Sequence, residues 1–122
     1  MASLTPDQTS RIVELAMDLA RRGDAQELKQ FLDHGLPVDA QDSEGNSLLM
    51  LAAYHGQVDV LRLLIEAGAD VDLRNERDQS PVAGAVFKGE DEAVQLLKAA
   101  GADLDAGTPT ARDAARMFGR EI

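Results

Sequence analysis

An all-α helical-repeat solenoid is the fold class that this 122-residue sequence predicts, on three observations. Gly23, Gly56 and Gly89 stand 33 residues apart, as do Gly35, Gly68 and Gly101, and as do Asp39, Asp72 and Asp105. A fixed period of this length is the signature of stacked supersecondary units. Between the glycines, apolar residues recur at helical spacing, as in Val60, Leu61, Leu64 and Ile65. The chain is 44% hydrophobic but only 3% aromatic, so its core must be aliphatic and assembled from small units. A unit this small cannot bury its apolar face alone, which makes stacking obligatory.

The elements follow in order. Residues 1–4 are expected to fray. Thr5-Pro6-Asp7-Gln8 opens the first helix: Thr5 can cap, Pro6 suits the first helical position and Gln8 completes a capping box. Ile12, Leu15, Ala16 and Leu19 form its apolar face, Arg21 and Arg22 occupy its last turn, and Gly23 stops it. A second helix runs from about Ala25 to His34, with Leu28, Phe31 and Leu32 inward, and ends at Gly35. Leu36 to Asn46 is a connection with a turn at Ser43-Glu44-Gly45. Ser47 caps a third helix, Leu48 to about His55, and a fourth runs from Val58 to Ala67. In the next connection, Val71 to Gln79, the position of Gly45 falls to Asp78, a residue that tolerates left-handed backbone better than most. Ser80-Pro81 starts a fifth helix ending at Lys88, and a sixth spans about Asp91 to Ala99 with Val94, Leu96 and Leu97 apolar. Each glycine that ends a helix is expected in the left-handed region.

The last unit is shorter. Thr108-Pro109 reads as the start of a seventh helix carrying Ala114, Ala115, Met117 and Phe118, with Gly119 as its stop. Ser80 to Thr108 is 28 residues against 33 for Ser47 to Ser80, so five residues are missing from the final connection. The expected organisation is a single domain: an N-terminal capping repeat 1–41, repeats 42–74 and 75–107, and a truncated C-terminal cap 108–122.

A net charge of −10 disfavours nonspecific binding to nucleic acid or to an anionic membrane. With no cysteine, disulfides and thiolate metal sites are excluded. MASLTPDQ lacks the basic and apolar regions of a signal peptide, and no apolar stretch approaches a membrane span. The expectation is a soluble, cytoplasmic monomer with no cofactor and no nucleic-acid or membrane partner.

The stretch from Ser47 to Gly56 (SLLMLAAYHG), followed by Val58 to Asp72 (VDVLRLLIEAGADVD), resembles the ankyrin repeat. The family pattern has Thr-Pro-Leu-His-x-Ala-Ala, a glycine between the helices, a Leu-Leu pair and Gly-Ala-Asp at the end. Ser80-Pro81 and Thr108-Pro109 match the Thr-Pro element, and the likeness covers about residues 8–119. Taken whole, the chain is also similar to small stand-alone bacterial members of that family. It departs where the family histidine falls on Met50, Ala83 and Ala111, which removes that residue's hydrogen bonds between loops. The resemblance implies a stack of helix pairs with turns projecting to one side. It also implies non-catalytic recognition of a protein through the turn tips and the concave face.

Two sets of residues are candidates for that recognition. Arg22, His55 and Lys88 are equivalent helix-end positions, with Arg116 as their counterpart in the last unit, and Arg21, Tyr54, Phe87 and Ala115 run beside them. Basic and aromatic residues are frequent interface anchors. Against this, a cation at a helix C-terminus meets the macrodipole favourably for its own sake, by about 0.3–1 kcal/mol, and the aromatics could simply cover neighbouring units. The turn tips, with Glu44, Asn46, Arg77 and Gln79, form the second set, although any turn needs polar tips.

The repeated Asp70/Asp72 and Asp103/Asp105 lack a calcium-loop pattern and read as turn-stabilising carboxylates. His34 and His55 have no metal-ligand partner at useful spacing, and no nucleophile–base constellation or phosphate loop is present. The expected function is therefore a non-catalytic protein-binding module. A regulatory or stabilising subunit of an enzyme is the first alternative, and a small-molecule or metal-binding protein the second.

Overall fold

Capping chemistry sets the helix boundaries. The structure, a computed structural model, describes residues 4–122, so the fraying expected at residues 1–3 lies outside the described residues. Helix α1 (Pro6–Arg22) starts with the reciprocal box: the Thr5 hydroxyl accepts the Gln8 N–H at 3.1 Å and the Gln8 side chain accepts the Thr5 N–H at 2.9 Å. It stops at Gly23, whose φ is +81°. Helix α2 (Ala25–Asp33) is capped by Asp24. Helices α3 (Leu48–Tyr54) and α5 (Pro81–Lys88) are capped by the buried hydroxyls of Ser47 and Ser80, which accept the N–H of Met50 at 3.1 Å and of Ala83 at 3.2 Å. Helices α4 (Val58–Glu66) and α6 (Asp91–Ala99) follow their partners after Gly56 and Gly89. Helix α7 (Ala111–Met117) closes the chain.

The described residues thus form an all-α solenoid in two rows. Helices α1, α3, α5 and α7 pack side by side as an inner row, while α2, α4 and α6 form an outer row, each against the inner helix of its own unit. The core lies between the rows, where Met17, Leu28, Leu48, Leu49, Leu61, Leu64 and Leu97 are fully buried. Each such side chain contributes about 1.5–3 kcal/mol relative to exposure. Asp78 has φ +59°, taking the left-handed place that Gly45 takes one unit earlier at +81°.

The two ends of the stack differ from the sequence expectation in instructive ways. Leu15 does not face the core: it is 57% exposed, and α1 buries Ala16, Met17, Leu19 and Ala20 instead. Its counterparts Leu48, Pro81 and Ala111 are buried. That is the pattern of a position covered by the preceding unit, and among the described residues no helix precedes α1 to cover Leu15.

At the other end, α7 is capped by Thr110, not Thr108: the Thr110 hydroxyl accepts the Asp113 N–H at 3.0 Å. Thr108 belongs to the preceding connection, where its N–H donates to the Asp78 carbonyl at 2.8 Å and its hydroxyl to the Asp78 carboxylate at 2.7 Å. The Thr108–Pro109 peptide bond is cis. Ser80 to Thr110 is 30 residues, so the connection is three residues short rather than five. This register puts Ala111 and Ala115 on the buried positions of Pro81 and Ala85, which a cap at Thr108 would not do. It also puts Arg112, Asp113 and Arg116 where Val82, Ala83 and Val86 are covered by the next unit, and among the described residues no unit covers these polar side chains.

Arg116 is therefore not the counterpart of Lys88, nor Ala115 that of Phe87; Phe118 and Met117 hold those places. The family-histidine position falls on Asp113 rather than Ala111. The Arg116 guanidinium, and then the Thr110 hydroxyl and N–H around the cap, hold the Asp113 carboxyl below the usual carboxylate range.

Neighbouring units are tied through their loops. Asp39 accepts the Asp70 N–H at 2.9 Å, Asp70 accepts the Asp72 N–H at 3.0 Å, Asp72 accepts the Asp103 N–H at 2.8 Å, and Asp103 accepts the Asp105 N–H at 2.9 Å. The repeated aspartates are a ladder of backbone acceptors. On the finger side, the Asn75 amide donates to Asn46 at 2.8 Å and the Glu76 N–H to the Glu44 carbonyl at 3.0 Å, so loop-to-loop bonds exist without the family histidine.

Over the inter-helix glycines, the Gln57 amide reaches back across Gly23 and donates to the Arg21 carbonyl at 2.7 Å. Glu90, one unit later, lays its carboxylate across Gly56 in the same way but has no hydrogen to donate. It faces the negative end of α3. Glu90→Gln is therefore expected to stabilise the fold by about 0.5–1.5 kcal/mol, by donating to the Tyr54 carbonyl. Urea denaturation checks it, and an unchanged or lower midpoint would contradict the assignment.

Candidate functional site: the groove between fingers and inner helices

Two projecting turns build one wall of a groove. Asp42 accepts the N–H groups of Glu44 and Asn46, both at 2.9 Å, and Asn75 accepts those of Arg77 and Gln79, both at 3.0 Å. Each turn folds around this one acceptor and presents the following side chains. An antiparallel bridge between Gln41 and Ser47 closes the base of the first turn.

The floor comes from the inner helices. A helix presents positions three, four and seven after its cap on one face. In α3 these are Met50, Leu51 and Tyr54; in α5 they are Ala83, Gly84 and Phe87. Pro109 and Ala114 close the far end of a groove of about 390 Å³.

The candidates read from the sequence converge here in large part. Glu44, Asn46, Tyr54, His55, Arg77, Gln79 and Phe87 all line this groove. Lys88 stands at its rim, its Nζ 5.1 Å from the centroid of the Tyr54 ring. Such a cation–π contact ties the two units together. Arg22 is exposed at the end of α1 and does not line the groove. Asn46 and Gln79 have a structural task as well, since both accept from the Asn75 amide, at 2.8 and 2.7 Å.

Several groove residues are not evident from the sequence. Met50, Leu51, Ala83 and Gly84 form the floor, and Asn75 holds the second turn. Beyond Phe87 the apolar strip continues into Phe118, 49% exposed, and Met117, 66% exposed. Phe87 is itself 52% exposed and meets Phe118 edge to face, with ring centroids 5.5 Å apart and planes at 80°. A signal for this strip does exist: once Thr110 is taken as the cap, the same three-four-seven spacing gives Ala114 and Met117.

The electrostatics are uneven. Among the described residues, Arg21, Lys29, Arg62, Arg74, Arg112, Arg116 and Arg120 pair with carboxylates on the surface. Exposed pairs of this kind contribute little to stability. Arg77 and Lys88, at the groove, lie in no ion pair among those residues. Among the same residues, no buried side-chain polar atom lacks a partner, and no group of three His, Cys, Asp or Glu could hold a metal ion. What the groove offers is shape, apolar surface and a few hydrogen-bonding groups.

A family model described as "Ankyrin repeats (3 copies)" matches residues 16–108. The chain belongs to the ankyrin repeat family. It is also 47% identical, over 47 residues, to a curated ankyrin repeat protein of Pseudomonas aeruginosa; the match covers 38% of this chain and 28% of that relative's length. Ankyrin repeats generally mediate protein–protein interaction and are typically non-catalytic. In this ankyrin protein, no helix among the described residues is long and apolar enough to cross a membrane.

Proposed function

We propose that this chain is a non-catalytic protein-recognition module that binds its partner in the groove between the fingers and the inner helices. The observation that carries the reading is the convergence of Tyr54, Phe87 and the two finger tips on one concavity, with Phe87 half exposed and with Lys88 and Arg77 in no ion pair among the described residues. Exposed aromatic side chains gathered in one concavity are the usual mark of an interaction surface. Tyr54 and Phe87 act as apolar anchors, Lys88, His55 and Arg77 supply charge, and Glu44, Asn46 and Gln79 supply polar contacts from the fingers.

The test is capture from a cell lysate, with wild type compared against Tyr54→Ala/Phe87→Ala. Because Phe87 is on the surface, the double variant should remain folded. It should lose about 2 kcal/mol or more of partner affinity, roughly a thirtyfold effect. A partner held equally by both proteins would remove these anchors from the site. Adding the module to a captured enzyme and assaying its activity would show whether recognition also regulates.

A further inference from the structure

The groove floor contains a residue that the fold itself does not ask for. Gly84 is the fourth residue of the eight-residue helix α5. Glycine inside a helix is less favourable than alanine because it brings more backbone freedom into the unfolded chain. The other nine glycines all have positive φ, where glycine is the natural choice; Gly84 does not. Nor is it a close-packing glycine, since a Cβ added there would meet nothing within 4 Å. The equivalent position in α3 is Leu51, so a large side chain is compatible with this kind of unit. The cost at Gly84 therefore keeps space open in the groove that Tyr54 and Phe87 also line.

Of the charged residues at that groove, Glu44 brings one carboxylate and Arg77 and Lys88 bring two cations. The molecule carries a net charge of −10, yet Lys88 and Arg77 sit at this groove without a carboxylate partner among the described residues. A partner with a carboxylate would supply what they lack, while a basic partner would find the rest of the surface more attractive.

We infer that Gly84 is the floor of a socket for one bulky apolar side chain, aromatic or branched aliphatic, carried by a partner peptide segment with an adjacent acidic residue that meets Lys88 or Arg77. This rests on the protein-recognition reading above and deepens it. Glycine lets the partner's side chain descend to the helix backbone in the groove that Tyr54 and Phe87 line. The cation at the rim fixes which way the segment runs.

The experiment selects a phage-displayed library of random short peptides on the purified protein and measures the enriched peptides by fluorescence anisotropy. They are expected to share one bulky apolar residue next to Asp or Glu, and their affinity should fall as salt is raised. Gly84→Ala should raise the melting temperature by about 4 °C and weaken the peptides. Gly84→Leu, which copies the side chain at Leu51, should stay folded and weaken them by about tenfold or more. Lys88→Glu combined with Arg77→Glu should weaken them at low salt and remove the salt dependence. Enriched peptides that ignore Gly84→Leu would overturn the socket while leaving a recognition module. Enriched peptides with basic rather than acidic neighbours would overturn the charge assignment. No enrichment on the folded protein would count against the socket and against peptide-segment recognition together.

Discussion

Leu64→Ala is expected to cost about 2–5 kcal/mol of folding stability, the usual range for removing a fully buried leucine. Leu64 is completely inaccessible to solvent, and its helix α4 packs on α3 within its unit and on α2 and α6 in the units to either side. In a stacked protein each unit is held by its neighbours, so a cavity in the middle unit weakens two interfaces at once. A domain of this size has about 5–15 kcal/mol to lose, which places the variant near the edge of folding at physiological temperature. Urea denaturation followed by circular dichroism measures the loss. Leu15→Ala is the internal control: same chemistry, but a side chain 57% exposed at the open end of the stack, and an expected change within about 0.5 kcal/mol. A loss at Leu64 no larger than the loss at Leu15 would mean that the middle unit is not where the stack is held together.

Those two leucines also mark the limit of what periodicity reveals. Both sit in apolar patterns at helical spacing, so both read as core. Which one is covered depends on whether a unit precedes it, a fact about the stack rather than the helix. The same holds at the other end. The string Thr108-Pro109-Thr110 offers two residues able to cap, and Pro after Thr favours the first by local chemistry. The structure uses the second, because only then do Ala111 and Ala115 reach the buried positions of the repeat. Interior boundaries carry no such ambiguity. Ser47 and Ser80 each have one cap to make and a glycine nine residues later to end on, and α6 has the bounds read from the sequence.

The site is legible to the extent that repeats superpose. Equivalent positions on successive helices must line up along one face, so the repeat alone brings together Tyr54 and Phe87, and the two finger tips. Gly84 is not legible that way, because a glycine in a sequence full of terminal glycines carries no mark of its own. Its meaning comes from ordinary helical backbone and from the empty space beside it. Phe118 and Met117 read as helix residues, but their place at the groove end follows only from the cap at Thr110.

Gly45→Ala is the second substitution expected to matter, by about 2–4 kcal/mol, and the reason is the fit of one finger on the next. Gly45 is buried at the turn with φ +81°, where an L-residue pays about 1–2 kcal/mol. A Cβ there would also stand 2.8 Å from the Glu76 nitrogen and 3.2 Å from the Asn75 Cα, in the backbone of the neighbouring finger. The fingers would have to separate, and the bond from the Glu76 N–H to the Glu44 carbonyl would go first. Gly68→Ala isolates the conformational part: Gly68 has φ +90° but nothing within 4 Å of an added Cβ, so it should cost only about 1 kcal/mol. Asp78, the counterpart of Gly45, already carries a side chain, and the close approach there has moved across the contact to Gly107, whose added Cβ would stand 3.0 Å from the Asp78 carbonyl oxygen. Each finger contact thus needs one glycine, on whichever side the turn leaves it. If Gly45→Ala and Gly68→Ala prove equally costly, with hydrogen exchange at the Glu76 amide unchanged, the fingers are not in contact and the groove wall they form is not fixed. If Gly45→Ala is the costlier and exposes the Glu76 amide, the finger that carries Glu44 and Asn46 is held in place by its neighbour, and the groove is shaped before any partner arrives.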